Sequence, residues 1–337
     1  MVIIPSAHEI ARAAALLRSG GLVAFATETV YGLGADARNP DAVARIFAVK
    51  GRPRDHPLIV HIPGIEFLER WAREVPALAW TLARGFWPGP LTLILKRAPG
   101  VPDAVTGGQD SVGLRVPSHP VAQALLRAFA GEGGAGGRRF DVAGHRFDGV
   151  AAPSANKFGR ISPTTAAHVL SDLDGEVDMI LDGGACEVGI ESTIVDCSRG
   201  EPVLLRPGRI TAADIARVAG VAPRPADRAA PRSPGALESH YAPRHPLRLV
   251  AAVGWGKTLA GIRGRRTVLA LREQSSGDAS VQWIRMPGDP ARYGHDLYAG
   301  LRALDCCDCE LIVVEAPPPG PEWDGIRDRL SRAATGE

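Results

Sequence analysis

The densest run of reactive side chains is Thr27-Glu28-Thr29-Val30-Tyr31-Gly32-Leu33-Gly34, directly after the apolar residues 22–26. Hydroxyls and a carboxylate at the carboxyl end of a strand, ahead of a Gly-x-Gly turn, stand where open α/β sheets take their ligands. The glycine pair is no dinucleotide fingerprint, because the third glycine is missing and no helix opens there. Lys50-Gly51-Arg52-Pro53-Arg54 comes next, just past a helix. Cations at a helix C-terminus are favourable on dipole grounds alone. Pro57 and a strand ending at His61 pin this segment, however, and a pinned Lys50/Arg52 pair suits a polyphosphate. Arg115 lies at the end of the strand 112–116 ahead of Pro117, a position fit for bidentate capture of a carboxylate or phosphate. His61 also closes a strand, where the ordinary outcome is a satisfied core imidazole.

Ser154 follows a short strand within 151–156, and Ser162-Pro163-Thr164-Thr165 opens a helix whose free N–H groups and hydroxyls suit anions. Glu191-Ser192-Thr193 precedes one strand, and Leu205-Arg206-Pro207-Gly208 closes another. The set contains hydroxyls and cations, but no Cys/His nucleophile pair and no metal-ligand spacing. That inventory points to a site for a nucleoside triphosphate and a small carboxylate, with catalysis by positioning and charge neutralisation.

The elements that must hold these groups follow from periodicity and punctuation. Ser6 and Glu9 form a capping-box pattern ahead of Ile10, Ala14 and Leu17, and Gly20-Gly21 stops that helix. Asn39-Pro40 starts a second helix, which ends at Gly51. Strands are expected at 22–26, 58–62, 91–95, 112–116, 179–181, 193–195 and 203–205, and helices at 76–84, 120–129, 164–170 and 212–218. Several strands lie close together, so the expected fold class is α/β with a twisted mixed sheet and helices. Residues 223–246 contain six prolines without apolar periodicity and read as a semi-rigid linker. Beyond it, strands at 247–252, 267–271, 281–286 and 311–315, with helices at 290–304 and 323–334, predict a small doubly wound, Rossmann-like α/β unit. The expected division is a catalytic domain over 1–222, a linker or lid over 223–246 and a second domain over 247–337. A glycine-rich excursion around 131–147, leading into Arg138-Arg139, interrupts the first of these.

Composition excludes other classes. The 337 residues are 45% hydrophobic and 23% charged, with a formal net charge of +2, which fits neither a basic nucleic-acid coat nor a polybasic membrane anchor. Five cysteines, three of them bunched at Cys306, Cys307 and Cys309, form no disulfide framework and no Cys-x-x-Cys metal pattern. The start of the chain shows no basic region followed by an apolar stretch, so a cytoplasmic location is expected.

In order along the chain, the first run, Lys50-Gly51-Arg52-Pro53, Pro57-Leu58-Ile59-Val60-His61, Phe86-Trp87-Pro88-Gly89-Pro90-Leu91-Thr92, Ala152-Pro153-Ser154-Ala155-Asn156, Gly189-Ile190-Glu191-Ser192-Thr193 and Leu205-Arg206-Pro207-Gly208 resemble the YrdC-type threonylcarbamoyl-AMP synthases. The resemblance spans about residues 5–220. Ser233-Pro234-Gly235, His240-Tyr241-Ala242-Pro243, Val314-Glu315-Ala316-Pro317-Pro318 and Asp328-Arg329-Leu330 extend it to the longer, two-domain branch.

The resemblance implies a nucleotidyltransferase that makes L-threonylcarbamoyladenylate and pyrophosphate from L-threonine, bicarbonate or CO2, and ATP accompanied by Mg2+. The product serves a downstream transferase that modifies the adenosine beside the tRNA anticodon, and a weak tRNA contact is implied as well. By family position Thr29, His61, Arg115, the Ala152 backbone and Ser192 would hold threonine, with Arg115 on its carboxylate. Arg52, Ser111, Ser154, Ser162 and Arg206 would hold ATP, and Lys50 would sit on the phosphates as a catalytic cation with Arg52. His56, where the family usually carries Asn, would donate to phosphate or ribose, and Tyr241 would fold over the site as a lid. Two other readings compete. One is an O-carbamoyltransferase relative, whose Cys-x-x-Cys or His-rich metal motifs are missing here. The other is a non-catalytic RNA-binding module, for which a chain only 5% aromatic offers few stacking platforms.

Overall fold

The computed structural model describes residues 4–131, 148–235, 240–274 and 281–334. Its first sheet is built from β1 (Val23–Phe25), β2 (Gly32–Asp36), β3 (Ile59–His61), β4 (Leu91–Lys96), β5 (Ser111–Arg115), β6 (Val150–Ala151), β7 (Met179–Leu181), β8 (Thr193–Asp196), β9 (Val203–Arg206) and β10 (Arg224–Pro225). Their spatial order is β10-β9-β8-β4-β5-β3-β6-β2-β1-β7, with parallel and antiparallel neighbours mixed. The expected mixed α/β sheet is therefore present.

This pairing carries the functional residues to one end of the sheet. Parallel β3 and β5 set His61 directly beside Arg115. Antiparallel β4 places its first residues beside the end of β5, and parallel β8 aligns Thr193 with Leu91. Antiparallel β9 then returns Arg206 opposite Ile194. Strand ends far apart in sequence thus share a rim because parallel and antiparallel neighbours are combined in this order.

The expected Gly-x-Gly turn is instead strand. β1 and β2 form an antiparallel hairpin in which Phe25 faces Gly32 and Val23 faces Gly34, so the turn is the polar run Thr27 to Tyr31. Space explains why glycine stands here: a Cβ on Gly34 would lie 2.8 Å from the Phe25 ring and 2.9 Å from Val150. The helix Pro40–Lys50 is capped by the Asn39 side chain and ends at Gly51, from which the chain returns towards the sheet at Arg52. Expected and observed helix ends otherwise differ by a few residues: the helix placed at 164–170 is Ala166–Leu173, capped by Thr165.

The 247–334 half carries β11 (Leu247–Val250), β12 (Arg266–Ala270), β13 (Trp283–Arg285) and β14 (Leu311–Glu315), all parallel in the order β11-β14-β12-β13. The helix Trp255–Gly261 between β11 and β12 was not expected from periodicity, and it packs Trp255 against Val250, Val268 and Val313. Within the expected linker, Arg224–Pro225 adds an edge strand to the first sheet. The glycine-rich excursion lies, from residue 132 to 147, outside the described residues. No helix among the described residues is long and apolar enough to cross a membrane.

The two halves share apolar packing. Val30, Ile161 and Ile190 of the first join Tyr241, Tyr298, Leu301, Ile326 and Leu330 in one buried cluster. The second unit is thereby seated against the turn regions that carry the polar motifs.

Candidate active site

The cavity at this rim is lined by the β1–β2 turn (Thr27, Thr29, Val30), Arg52, the ends of β3 and β5, the Ala152–Ser154 backbone, Glu191, Ser192 and Arg206. Pro234, Gly235, His240 and Tyr241 close it from the 223–246 segment. Ile59 and His61 both line it because alternate residues of a strand face one way.

Arg115 is fixed from three sides. Its Nη2 lies 2.6 Å from Glu28 Oε1, its Nη1 donates to Thr29 Oγ1 at 2.9 Å, and its Nε donates to the Gly89 carbonyl at 3.3 Å. Glu28 is itself anchored by the Ser118 N–H. The turn behind it is a local side-chain motif: Thr27 Oγ1 donates to the Val30 carbonyl and accepts the Thr29 and Val30 N–H groups. A guanidinium has five N–H donors, and this arrangement leaves one on each terminal nitrogen of Arg115 for a ligand. Beside it, burial holds the His61 imidazole well below its ordinary pKa and the Arg115 charge adds to the effect, so the ring is neutral.

A second cationic side faces it. Arg206 donates from Nε and Nη2 to the Ser192 carbonyl at 3.0 and 2.9 Å, from Nη2 to Ser192 Oγ, and from Nη1 to Pro234. Ser192 Oγ also pairs with Thr92 Oγ1 at 2.8 Å. Arg52 donates to the Pro57 carbonyl, and burial lowers its pKa to about 10. Tyr241 reaches the cavity with φ at +64°, a left-handed conformation that is rare for a bulky residue. A Cβ on Gly235 (φ +78°) would come within 2.2 Å of the Tyr241 hydroxyl, so only glycine lets the segment close this tightly. Arg52 Nε, His61 Nδ1, His240 Nδ1 and Tyr241 Oη are all buried without a partner among the described residues, and all four belong to lining residues. A buried unsatisfied polar atom costs about 1–3 kcal/mol; five more stand away from the cavity, His119 Nε2 and Asn156 Oδ1 among them, but these four lie at its wall, where a ligand can reach them.

Family models match both halves of the chain: one headed Sua5, YciO and YrdC and described as "Telomere recombination" covers residues 15–208, and one described as the C-terminal domain of threonylcarbamoyl-AMP synthase covers 210–335. The chain belongs to the Sua5/YciO/YrdC family. Threonylcarbamoyl-AMP synthase of Bacillus subtilis is 42% identical over 347 residues, which cover 97% of this chain and 93% of that protein. The Pyrococcus abyssi enzyme of the same name is 44% identical over 337 residues, covering 96% and 93%. The crystal structure of P. abyssi Sua5 complexed with L-threonine matches with a TM-score of 0.85 and 34% identity, over 98% of this chain and 96% of that one.

Within this member of the Sua5/YciO/YrdC family, the cavity brings together Thr29, Arg52, His61, Arg115, Ala152, Ser154, Ser192, Arg206 and Tyr241 of the expected set. Four others stand elsewhere. Lys50 Nζ is buried outside the lining and donates to the Ser154 and Asn156 carbonyls, so it supports the loop that carries Ser154. Burial and the neighbouring Arg52 push its ammonium well below the ordinary lysine value. His56 packs edge-on against Phe158 outside the lining. Ser111 begins β5, at the opposite end from Arg115, because a strand rises about 3.3 Å per residue. Ser162 gives its hydroxyl to Glu191 Oε1.

Sequence reasoning passed over Glu28 and Glu191 as site residues, although both stand inside quoted motifs, and it left out His240 beside Tyr241. In the second unit it had no signal for Tyr298, and it quoted Arg329 only within the two-domain motif Asp328-Arg329-Leu330, without a role. Tyr298 Oη donates to Glu191 Oε2 at 3.0 Å, and Arg329 Nε lies 2.7 Å from the same oxygen. Burial alone would raise the Glu191 carboxyl, but Arg329, Arg206 and the Ser162 hydrogen bond outweigh it and hold the pKa at about 2.

Proposed function

We propose that this chain joins L-threonine, bicarbonate or CO2, and ATP into L-threonylcarbamoyladenylate and pyrophosphate, the first step in placing threonylcarbamoyl on the adenosine beside the tRNA anticodon. The observation that carries the reading is the set of buried, unpartnered polar atoms around one cavity with arginines on two sides. In it, the free N–H pair of Arg115 takes the threonine carboxylate, a bidentate contact whose direction Glu28 and Thr29 fix. Neutral His61 offers a hydrogen bond without adding charge, and the Ala152 backbone and Ser192 complete the threonine side.

The threonine amine forms a bond to the carbon of CO2 and gives up a proton, yielding N-carboxythreonine. A carboxylate oxygen of that carbamate attacks the α-phosphorus as the bond to the bridging oxygen breaks and pyrophosphate leaves. Arg52 and Arg206, with Ser154, neutralise the phosphate charge through this step, where positioning and electrostatics supply most of the acceleration. Among the described residues the one lining carboxylate, Glu191, is held by Arg329 and Ser162. Mg2+ would arrive bound to the ATP phosphates. Pro234, Gly235, His240 and Tyr241 exclude water from the mixed anhydride. Because that product hydrolyses, a transferase acting on tRNA must take it up downstream.

The test is pyrophosphate release with all three substrates and with each left out in turn. Release that requires threonine is expected. Release without threonine would indicate a carbamoyl-adenylate chemistry instead, and no release at all would leave a binding module.

A further inference from the structure

We infer that Arg329, in the last helix of the second unit, is a positioning residue of the ATP side of the cavity, acting through Glu191 and the Pro207 backbone. The inference rests on the proposed reaction for its substrates but takes its geometry from the chain alone.

One guanidinium spans the two segments that carry Ser192 and Arg206. Arg329 Nε meets the Glu191 carboxylate, Nη2 donates to the Glu191 carbonyl at 3.3 Å, and Nη1 donates to the Pro207 carbonyl at 2.9 Å. Glu191 directly precedes Ser192, and Pro207 directly follows Arg206, whose own guanidinium holds the Ser192 carbonyl. The two arginines therefore both tie together the same pair of strand ends. The helix Asp324–Ala334 can come this close because Gly325 packs on Gly208, where an added Cβ would lie 3.0 Å from the Gly208 Cα.

The same helix, together with Tyr298 of the helix Pro290–Asp305, holds the segment that closes the cavity. The Arg329 guanidinium lies 5.2 Å from the Tyr241 ring centroid, Tyr241 stacks on Tyr298 at 6.0 Å, and the His240 N–H donates to the Arg332 carbonyl. A fully buried arginine with this many partners ties strand ends and cover into one unit, whereas a docking contact between two domains would need only apolar area.

Charge sets the consequence. Glu191 lines the cavity where the phosphates are proposed to lie, and Arg329 neutralises it. Without Arg329, Ser162, Tyr298 and Arg206 would still hold the Glu191 carboxylate, but its ion-pair partner would be gone, so negative charge would rise beside the triphosphate and ATP would lose affinity more than threonine.

The experiment measures the Kd of a non-hydrolysable ATP analogue by titration calorimetry, together with the KM for threonine, for Arg329→Met, Arg329→Lys, Glu191→Gln and the double variant Glu191→Gln/Arg329→Met. Arg329→Met is expected to weaken the analogue at least tenfold while threonine KM moves less than threefold. The double variant, with neither charge, is expected to recover analogue binding to within threefold of the unaltered chain. Equal losses for both ligands, or a double variant no better than Arg329→Met, would overturn the inference. Should Arg329→Met show no cooperative unfolding transition, Arg329→Lys and the double variant carry the same comparison. Analogue binding is read without turnover, so failure of the threonine-dependent reaction and failure of this inference are separate results.

Discussion

At the scale of single residues, the site depends on a few buried charges that neighbouring groups hold in direction while leaving donors free. Arg115 could be read as a strand-end anion ligand from its position before Pro117, but Glu28 as its orienting partner could not, since 87 residues separate them. Substituting Arg115→Ala removes a charge-assisted fork of about 1.5–3 kcal/mol, so threonine KM should rise roughly tenfold to a hundredfold with a much smaller change for ATP. Equal changes in steady-state assays would count against its role. Glu191 gives a pH prediction. Its folded pKa of about 2 lies below the ordinary 4.5, so the stability it contributes is present above pH 4.5 and is lost as pH falls through about 2. The shift corresponds to about 3 kcal/mol. Glu191→Gln should flatten the acid loss of stability across that window in denaturant titrations, and an unchanged acid limb would refute the assignment.

Elements decide which residues of a motif face the ligand. The β1–β2 hairpin turns a glycine pair that reads like a loop signal into strand, because Phe25 and Val150 occupy the space a side chain at residue 34 would need. Gly34→Val should destabilise by roughly 1–3 kcal/mol through overpacking and raise threonine KM, since the turn carrying Thr27 to Val30 would shift. Lys50 shows the opposite limit of motif reading. Its spacing from Arg52 suggested a phosphate pair, but the helix Pro40–Lys50 ends with that side chain under the Ser154–Asn156 loop. Lys50→Met should therefore lower the melting temperature, as buried carbonyls lose a charged donor, before it alters the ATP requirement. A pure ATP effect at unchanged stability would return Lys50 to the phosphates. Capping residues and apolar periodicity made most helices and strands legible, whereas side-chain direction at their ends depended on partners elsewhere in the chain.

Across the whole molecule, the sequence separated two α/β units and a proline-rich connection but gave no sign that they build one site. Arg329 and Glu191 are 138 positions apart, and only the folded chain brings them within 2.7 Å. The mixed apolar cluster of Val30, Ile161, Ile190, Tyr241, Tyr298 and Leu330 shows why: the second unit packs on the same turns that carry the chemistry. Ending the chain after residue 222 removes the cover and leaves Glu191 without Arg329, so activity should be abolished even where the remaining sheet stays folded by circular dichroism. Full activity of that fragment would contradict this account of the second unit. The central claim is tested most directly by product analysis with labelled bicarbonate and ATP labelled at the α-phosphate. The account predicts a single threonine-dependent product carrying both labels, formed in step with pyrophosphate. A nucleotide product that carries the phosphate label alone, or both labels without threonine, would contradict it.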